Sequence, residues 1–323
     1  MNILKLWTIL FGKPSIGLAT DEEVRTYGDV SRKEDVLGLV EYLTATEDYF
    51  LNNLGKTAAT DMAHITLTDT LRSVATAAVA EGGDYTMGAR TTPSRITNLI
   101  EIVAVPYSVT RSQQQITKHT GVNELARQTA KAIKEWADAA EFDIVRSTLT
   151  SGASGTTPKM SGVLEAISQA QTYSAQSSGT AFATTILSLM MKDSWDDGNG
   201  DVATDMFVGS YLMDVIDRFA TKTNVMQNLQ GATNFVMKTS RFSTSFGDLT
   251  VHKHRHLQAS TDATGRVLLL RPDKLKIAYL QRPFIDTGLA RSGDYDKRAV
   301  VGKLTLEVRN QLGHIYHTGF NIG

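Results

Sequence analysis

His64-Ile65-Thr66-Leu67-Thr68-Asp69-Thr70-Leu71 and Arg95-Ile96-Thr97-Asn98-Leu99-Ile100-Glu101-Ile102-Val103-Ala104-Val105 are two alternating arms around one connection. The first puts Ile65, Leu67 and Leu71 on one face and threonines on the other, the period of a half-buried strand. The second puts Ile96, Ile100 and Ile102 on one face. Between them runs Ala75-Thr76-Ala77-Ala78-Val79-Ala80-Glu81-Gly82-Gly83-Asp84-Tyr85-Thr86-Met87-Gly88-Ala89-Arg90, too small-sided and glycine-rich to build a core. A lone two-stranded ribbon is marginal in water, so something covers this one. Its own domain and a neighbouring copy of the chain are both open as that cover.

Working outward, the next long segment is helical. Thr120 is a candidate cap, and Val122, Ala126, Thr129, Ile133, Trp136, Ala140 and Ile144 recur every three or four residues. The breaker run Thr150-Ser151-Gly152-Ala153-Ser154-Gly155 ends it. Roughly 30 residues at about 1.5 Å each make a rod on the order of 45 Å, long for a globular protein. One long helix in an ordinary α+β core has the same periodicity.

The chain has 323 residues, 41% apolar and 21% charged, which describes an ordinary folded protein rather than a disordered one. A formal net charge of -1 argues against tight, sequence-independent binding of nucleic acid, which needs a basic surface to displace counterions. Weak contact through a local patch is compatible with it. The chain has no cysteine, so disulfides and thiolate zinc sites are excluded and stability comes from packing and association. No apolar run reaches the length of a membrane span. The N-terminal Ile3-Leu4-Lys5-Leu6-Trp7-Thr8-Ile9-Leu10-Phe11 is short and leads into Gly12-Lys13-Pro14 without a small-x-small cleavage site, so it reads as a docking arm or short amphipathic helix.

Several motifs fail on inspection. Gly55-Lys56-Thr57 resembles the end of a phosphate-binding loop, but Phe50 stands where its first glycine belongs. His252, His254 and His256 alternate and would share one strand face, a donor set that suits zinc or copper. Lys253 and Arg255 lie between them and no carboxylate is adjacent, which favours a solvated basic strand face. Asp193-Ser194-Trp195-Asp196-Asp197-Gly198-Asn199-Gly200-Asp201 has the colouring of a calcium loop, yet Trp195 occupies a ligand position, so it reads as a polar surface loop. No nucleophile elbow and no His-Glu-x-x-His is present. No catalytic residue, cofactor site or metal ligand is assigned.

Residues 184–238 alternate helix-like and strand-like pieces, as in a compact α/β lobe. After Gly265 the chain turns to strands. In Val300-Val301-Gly302-Lys303-Leu304-Thr305-Leu306-Glu307-Val308-Arg309, Val300, Leu304, Leu306 and Val308 face one way and polar residues the other, giving a sheet with one covered side. Asp273-Lys274-Leu275-Lys276-Ile277-Ala278-Tyr279-Leu280, Arg282-Pro283-Phe284, Leu289-Ala290-Arg291-Ser292-Gly293-Asp294 and Leu306-Glu307-Val308-Arg309-Asn310 resemble the closing strands of tailed-bacteriophage major capsid proteins. Ala80-Glu81-Gly82-Gly83-Asp84, Pro93-Ser94-Arg95 and Ala126-Arg127-Gln128-Thr129-Ala130-Lys131-Ala132-Ile133-Lys134-Glu135 fall where that family has its loop tip, return strand and long helix. The likeness in order and spacing spans roughly residues 38 to 318.

The resemblance implies an α+β chain with the Hong Kong 97-like capsid fold. Its parts would be an N-terminal arm (1–55), an extended β-hairpin loop (56–110) and a peripheral domain with a spine helix (111–160). A mainly axial α/β domain (161–275) and peripheral C-terminal strands (276–323) would follow. The implied function is a major head protein of the virion that self-assembles, as pentamers and hexamers, into an icosahedral shell around double-stranded DNA. Partners would be other copies of the chain, scaffold, portal and decoration proteins, and weakly held DNA; no membrane and no cofactor is expected. Assembly would occur in the host cytoplasm. Glu81, Asp84, Arg90 and Arg95 at the ribbon tip are expected to pair across subunits. A nanocompartment shell of the same fold is the first alternative, and an oligomeric metal-dependent enzyme using the histidine strand the second.

Overall fold

The structure, a computed structural model, describes residues 48–71, 78–85, 88, 90–116, 123–152, 155–168, 181–198, 200–222, 241–257, 264–290 and 293–321. The expected N-terminal arm up to residue 47, part of the ribbon tip and the cap at Thr120 lie outside them.

The four-stranded sheet has the order β1 (Gly55–Ala58), β9 (Leu275–Asp286), β10 (Tyr295–Val308), β4 (Glu101–Thr110). β1 runs parallel to β9, and β10 is antiparallel to both its neighbours. The helices α1 (Tyr49–Asn53), α2 (Arg111–Gln115), α3 (Glu124–Arg146) and α4 (Val163–Ser168) accompany this sheet. The five-stranded sheet has the order β11 (Ile315–Asn321), β8 (Thr264–Leu270), β5 (Asp205–Val208), β7 (Gly247–Lys253), β6 (Arg241–Thr244). It carries α5 (Thr184–Asp197) and α6 (Ser210–Lys222), whose Ile186, Leu187, Met190, Leu212 and Ile216 are buried against it. β2 (Ala63–Thr68) and β3 (Ser94–Leu99) form a separate two-stranded ribbon. Residues 276–323 are split between sheets: most of β9 and all of β10 lie in the first, and β11 closes an edge of the second.

The five-stranded sheet is buried on both sides at its centre. In β8, Leu268 and Leu270 enter the core around α3, whereas Val267 and Leu269 enter the core under α5 and α6. In β5, Phe207 faces the first core and Met206 and Val208 the second. A strand covered on both faces needs apolar residues at every position, which is why Val267-Leu268-Leu269-Leu270 does not alternate.

The long helix is shorter than its pattern suggests. α3 has 23 residues; Asn123 caps it by accepting the Leu125 N–H, and Ser147 leaves helical geometry at the other end. Its buried stripe is Ala132, Trp136, Ala140, Ile144 with Glu141 and Val145, while Ile133 is exposed. The stripe is fixed by Trp136, whose indole lies over Gly302: a Cβ there would sit 2.4 Å from Cζ2. The indole N–H donates to the Val103 carbonyl at 3.0 Å.

Three further expectations change. The return arm is two strands, because Ile100 is wholly buried between β3 and β4 and the alternation slips there. Glu101, Val103 and Val109 are therefore buried, and Ile102 is exposed rather than sharing a face with Ile100. β10 is covered on both sides at its end, with Thr305 and Glu307 buried beneath the ribbon base. Residues 193–197 belong to α5, ended by Gly198, rather than to a surface loop.

Candidate assembly surfaces

The ribbon is held firmly at its base. Asn98 of β3 uses all of its amide: Nδ2 donates to the carbonyls of Ser161 (3.0 Å) and Leu306 (2.8 Å), and Oδ1 accepts from Ser161 N (2.7 Å) and Leu99 N (2.9 Å). On the other strand His64 Nε2 lies 3.2 Å from Glu307 Oε2, and Arg309 Nε reaches the second oxygen of the same carboxylate. Burial opposes ionisation of Glu307, but Arg309 and then His64 outweigh it and hold its carboxyl below the usual range.

Beyond that base the cover ends. Ile65 is 40% exposed, Leu67 66% and Leu71 98%, with Val79 and Tyr85 also exposed. The face that alternation marks as apolar thus loses its cover along the ribbon, which disfavours folding back on its own domain. The four tip charges are not gathered into a cluster of ion pairs. Glu81, Asp84, Arg90 and Arg95 are each exposed, and Arg95 stands opposite Leu67 across the ribbon.

A second apolar surface opens over α3. A groove of about 470 Å³ is lined by Leu51, Ile133, Trp136, Tyr279, Phe284 and Ile285, with the charged Asp48 and Lys56 also on its wall. Ile133, Phe284 and Ile285 are each at least 40% exposed.

The histidine strand is neither a solvated basic face nor a converging donor set. His252 Nε2 pairs with Asp205 Oδ1 (2.8 Å), His254 Nε2 with Glu141 Oε1 (3.0 Å) and His256 Nε2 with Asp138 Oδ1 (3.0 Å). Each imidazole has its own carboxylate, and the missing acids come from α3 and β5, far away in sequence. Glu141 also accepts the backbone N–H groups of Phe50 (2.7 Å) and Leu51 (2.9 Å), so one buried carboxylate binds α1, α3 and the end of β7 together. Tyr49 and Phe50 pack against His252 and His254, with ring centroids 4.9 and 5.1 Å apart. Among the described residues no group of three or more His, Asp or Glu is placed to hold a metal ion.

A second carboxylate pair sits at the end of α3. Glu101 is buried and accepts from Ser147 Oγ (3.1 Å) and Met160 N (3.2 Å). Burial, and next the charge of Glu101, push the Asp143 carboxyl up to about 6, with Lys159 opposing. No sequence motif marks this pair, because its members lie on different elements.

No curated protein matches the chain. Solved structures do match in fold. The cyanophage A-1(L) capsid asymmetric unit is 10% identical, with a TM-score of 0.65 over 90% of this chain and 97% of that one. The capsid of Myoviridae phage XM1 is 14% identical, TM-score 0.58, over 88% and 96%. The holo-SrpI encapsulin complex from Synechococcus elongatus PCC 7942 is 10% identical, TM-score 0.61, over 90% and 93%. At these identities the likeness establishes the Hong Kong 97-like fold and leaves capsid and encapsulin on equal terms. The sequence separates them: the family model described as SU10 major capsid protein matches residues 20–320, nearly the whole chain. With its α+β fold and exposed ribbon, the chain belongs to the SU10 major capsid protein family.

Proposed function

We propose that this capsid protein closes an icosahedral shell from pentamers and hexamers of itself around double-stranded DNA, without a catalytic step. The observation that carries this reading is the ribbon: its apolar face is exposed in the single chain, and its base is anchored by Asn98 and by the His64–Glu307 pair. Laid over the peripheral domain of an adjacent copy, the ribbon buries Leu67 and Leu71. At about 25 cal/mol per Å², such a contact repeated over many copies supports a shell without strong individual bonds. In this reading the ribbon of β2 and β3 within 56–110 is the extended loop, 111–160 and the part of 276–323 before β11 supply the peripheral domain together with β1 and β4, and 161–275 with β11 is mainly axial. Glu81, Asp84, Arg90 and Arg95 pair with charges on the next subunit. Scaffold, portal and decoration proteins are further partners, and assembly in a host cytoplasm ends in the virion. A net charge of -1 suits a container that releases its DNA.

Electron microscopy and nucleic-acid analysis of particles from co-expression with neighbouring genes test this. Polyhedral shells with five- and six-fold rings and packaged DNA are expected. The encapsulin likeness supplies the competing reading, in which the shells hold a cargo protein and no genome. Small oligomers alone would refute both.

A further inference from the structure

Two short crossings carry the chain between the sheets: residues 271–274 from β8 to β9, and residues 309–314 from β10 to β11. Both close on one carboxylate. Asp201 Oδ1 lies 3.1 Å from Arg271 Nη1, and Oδ2 lies 3.0 Å from Lys274 Nζ and 2.9 Å from Asn310 Nδ2. The crossings also touch directly, the Arg309 N–H donating to the Lys274 carbonyl at 2.9 Å. Asn310 has a positive φ (48°), a left-handed conformation that asparagine tolerates better than most side-chain-bearing residues. Here it aims the amide at Asp201 and at the Gly198 carbonyl, 2.9 Å away, at the end of α5.

The junction has no slack. A Cβ on Gly198 would lie 2.7 Å from the Asp201 carbonyl and 2.9 Å from Gly313 Cα, and one on Gly313 would lie 2.8 Å from that carbonyl. The cores on either side are apolar, and hydrophobic contact is non-directional. Apart from the pairs of Glu141 and Asp138 with His254 and His256, at the other end of β5 and β7, packing therefore leaves some freedom to pivot. Hydrogen bonds from two crossings to one carboxylate are directional and remove it. We propose that Asp201 is a positioning residue that fixes the angle between the two sheets and, through it, the curvature of the closed shell. The second half rests on the shell reading above; the first does not.

The chain has no cysteine, so two introduced ones take spin labels uniquely. Ser108→Cys on β4 and Ser188→Cys on α5 are exposed positions, one on each sheet's side of the junction. Pulsed electron resonance on the unassembled chain should give one narrow distance distribution. Asp201→Asn and, separately, Asn310→Gly should broaden or shift it while the circular dichroism spectrum is kept. Asn310→Gly keeps the left-handed backbone accessible and removes only the amide, so it carries the test if Asp201→Asn fails to fold. An unchanged distribution in Asn310→Gly would overturn the proposal. Where the parent forms shells, the variants should form shells of altered or mixed diameter. Shells of the parent diameter, despite a broadened distribution, would remove the link to curvature. A parent that forms no shell bears on the function reading alone, because the distances are read before assembly.

Discussion

Glu141 and Asp138 show how burial decides what a residue is worth. Both face a histidine at 3.0 Å, yet Glu141 and His254 are fully enclosed, whereas Asp138 and His256 are partly open to water. Glu141→Ala strands the imidazole and two backbone N–H groups, and a loss on the order of 3 kcal/mol is expected from the shift of the urea midpoint. Asp138→Ala should cost under about 1 kcal/mol in the same measurement. Asp143 behaves differently, because its carboxyl is raised from 3.8 to about 6. Folding then favours the protonated acid, so its contribution is fully present below about pH 4 and is lost as pH rises through about 6. Asp143→Asn should therefore melt higher than the parent at pH 7.5, and the gap should close by pH 4; a gap that does not vary with pH would contradict the assignment. Neither role is legible in the sequence. The histidines are visible as a pattern, but their carboxylates lie 47 to 118 positions away and only the fold brings them in.

Among elements, the ones that sequence reveals best are those whose period is set by a single covered face. The inward residues Val300, Leu304, Leu306 and Val308 of β10, which enter the core around α3, follow such a period; the outgoing arm of the ribbon alternates as well, but its apolar face is the uncovered one. Legibility fails where an element changes partner. At Ile100 the chain leaves the ribbon for the four-stranded sheet, and two consecutive buried residues, Ile100 and Glu101, break the alternation that had put Ile102 on the face of Ile100. It fails again on α3, where a seven-residue stripe centred on Ile133 fits the pattern but Trp136 over Gly302 sets the rotation. That contact offers a test of the element. Gly302→Ala drives a methyl into the indole, and because the obstacle is a buried ring anchored to Val103, a loss of about 1–3 kcal/mol in chemical denaturation is expected. The ribbon base gives another. Asn98→Ala leaves buried groups of Ser161 and Leu306 without partners, should cost about 1–3 kcal/mol, and should speed amide exchange in β2 and β3 relative to β9.

At the scale of the whole molecule, the exposed ribbon does little for an isolated chain, and in the reading proposed above it acts only in the shell. Leu71 at 98% exposure contributes almost nothing to the stability of the chain by itself, since it is nearly as wet folded as unfolded, and Leu67 at 66% contributes little. Surface changes of this kind usually move stability by less than about 0.5 kcal/mol. Replacing either leucine by aspartate should therefore leave the melting temperature of the unassembled chain in place. Assembly should respond in the opposite sense, because an ionised carboxylate would have to be buried against the neighbour at a cost of several kcal/mol at every ribbon of the shell. Repetition then turns a moderate penalty per contact into loss of the closed particle. Reversing Arg90 or Arg95 should act in the same direction but more weakly, and added salt should narrow the difference from the parent, since exposed ion pairs are screened. The comparison of yields by electron microscopy at low and high salt separates the two contributions. If both aspartate variants gave shells at the parent's yield, the ribbon would not be the surface on which neighbouring copies meet.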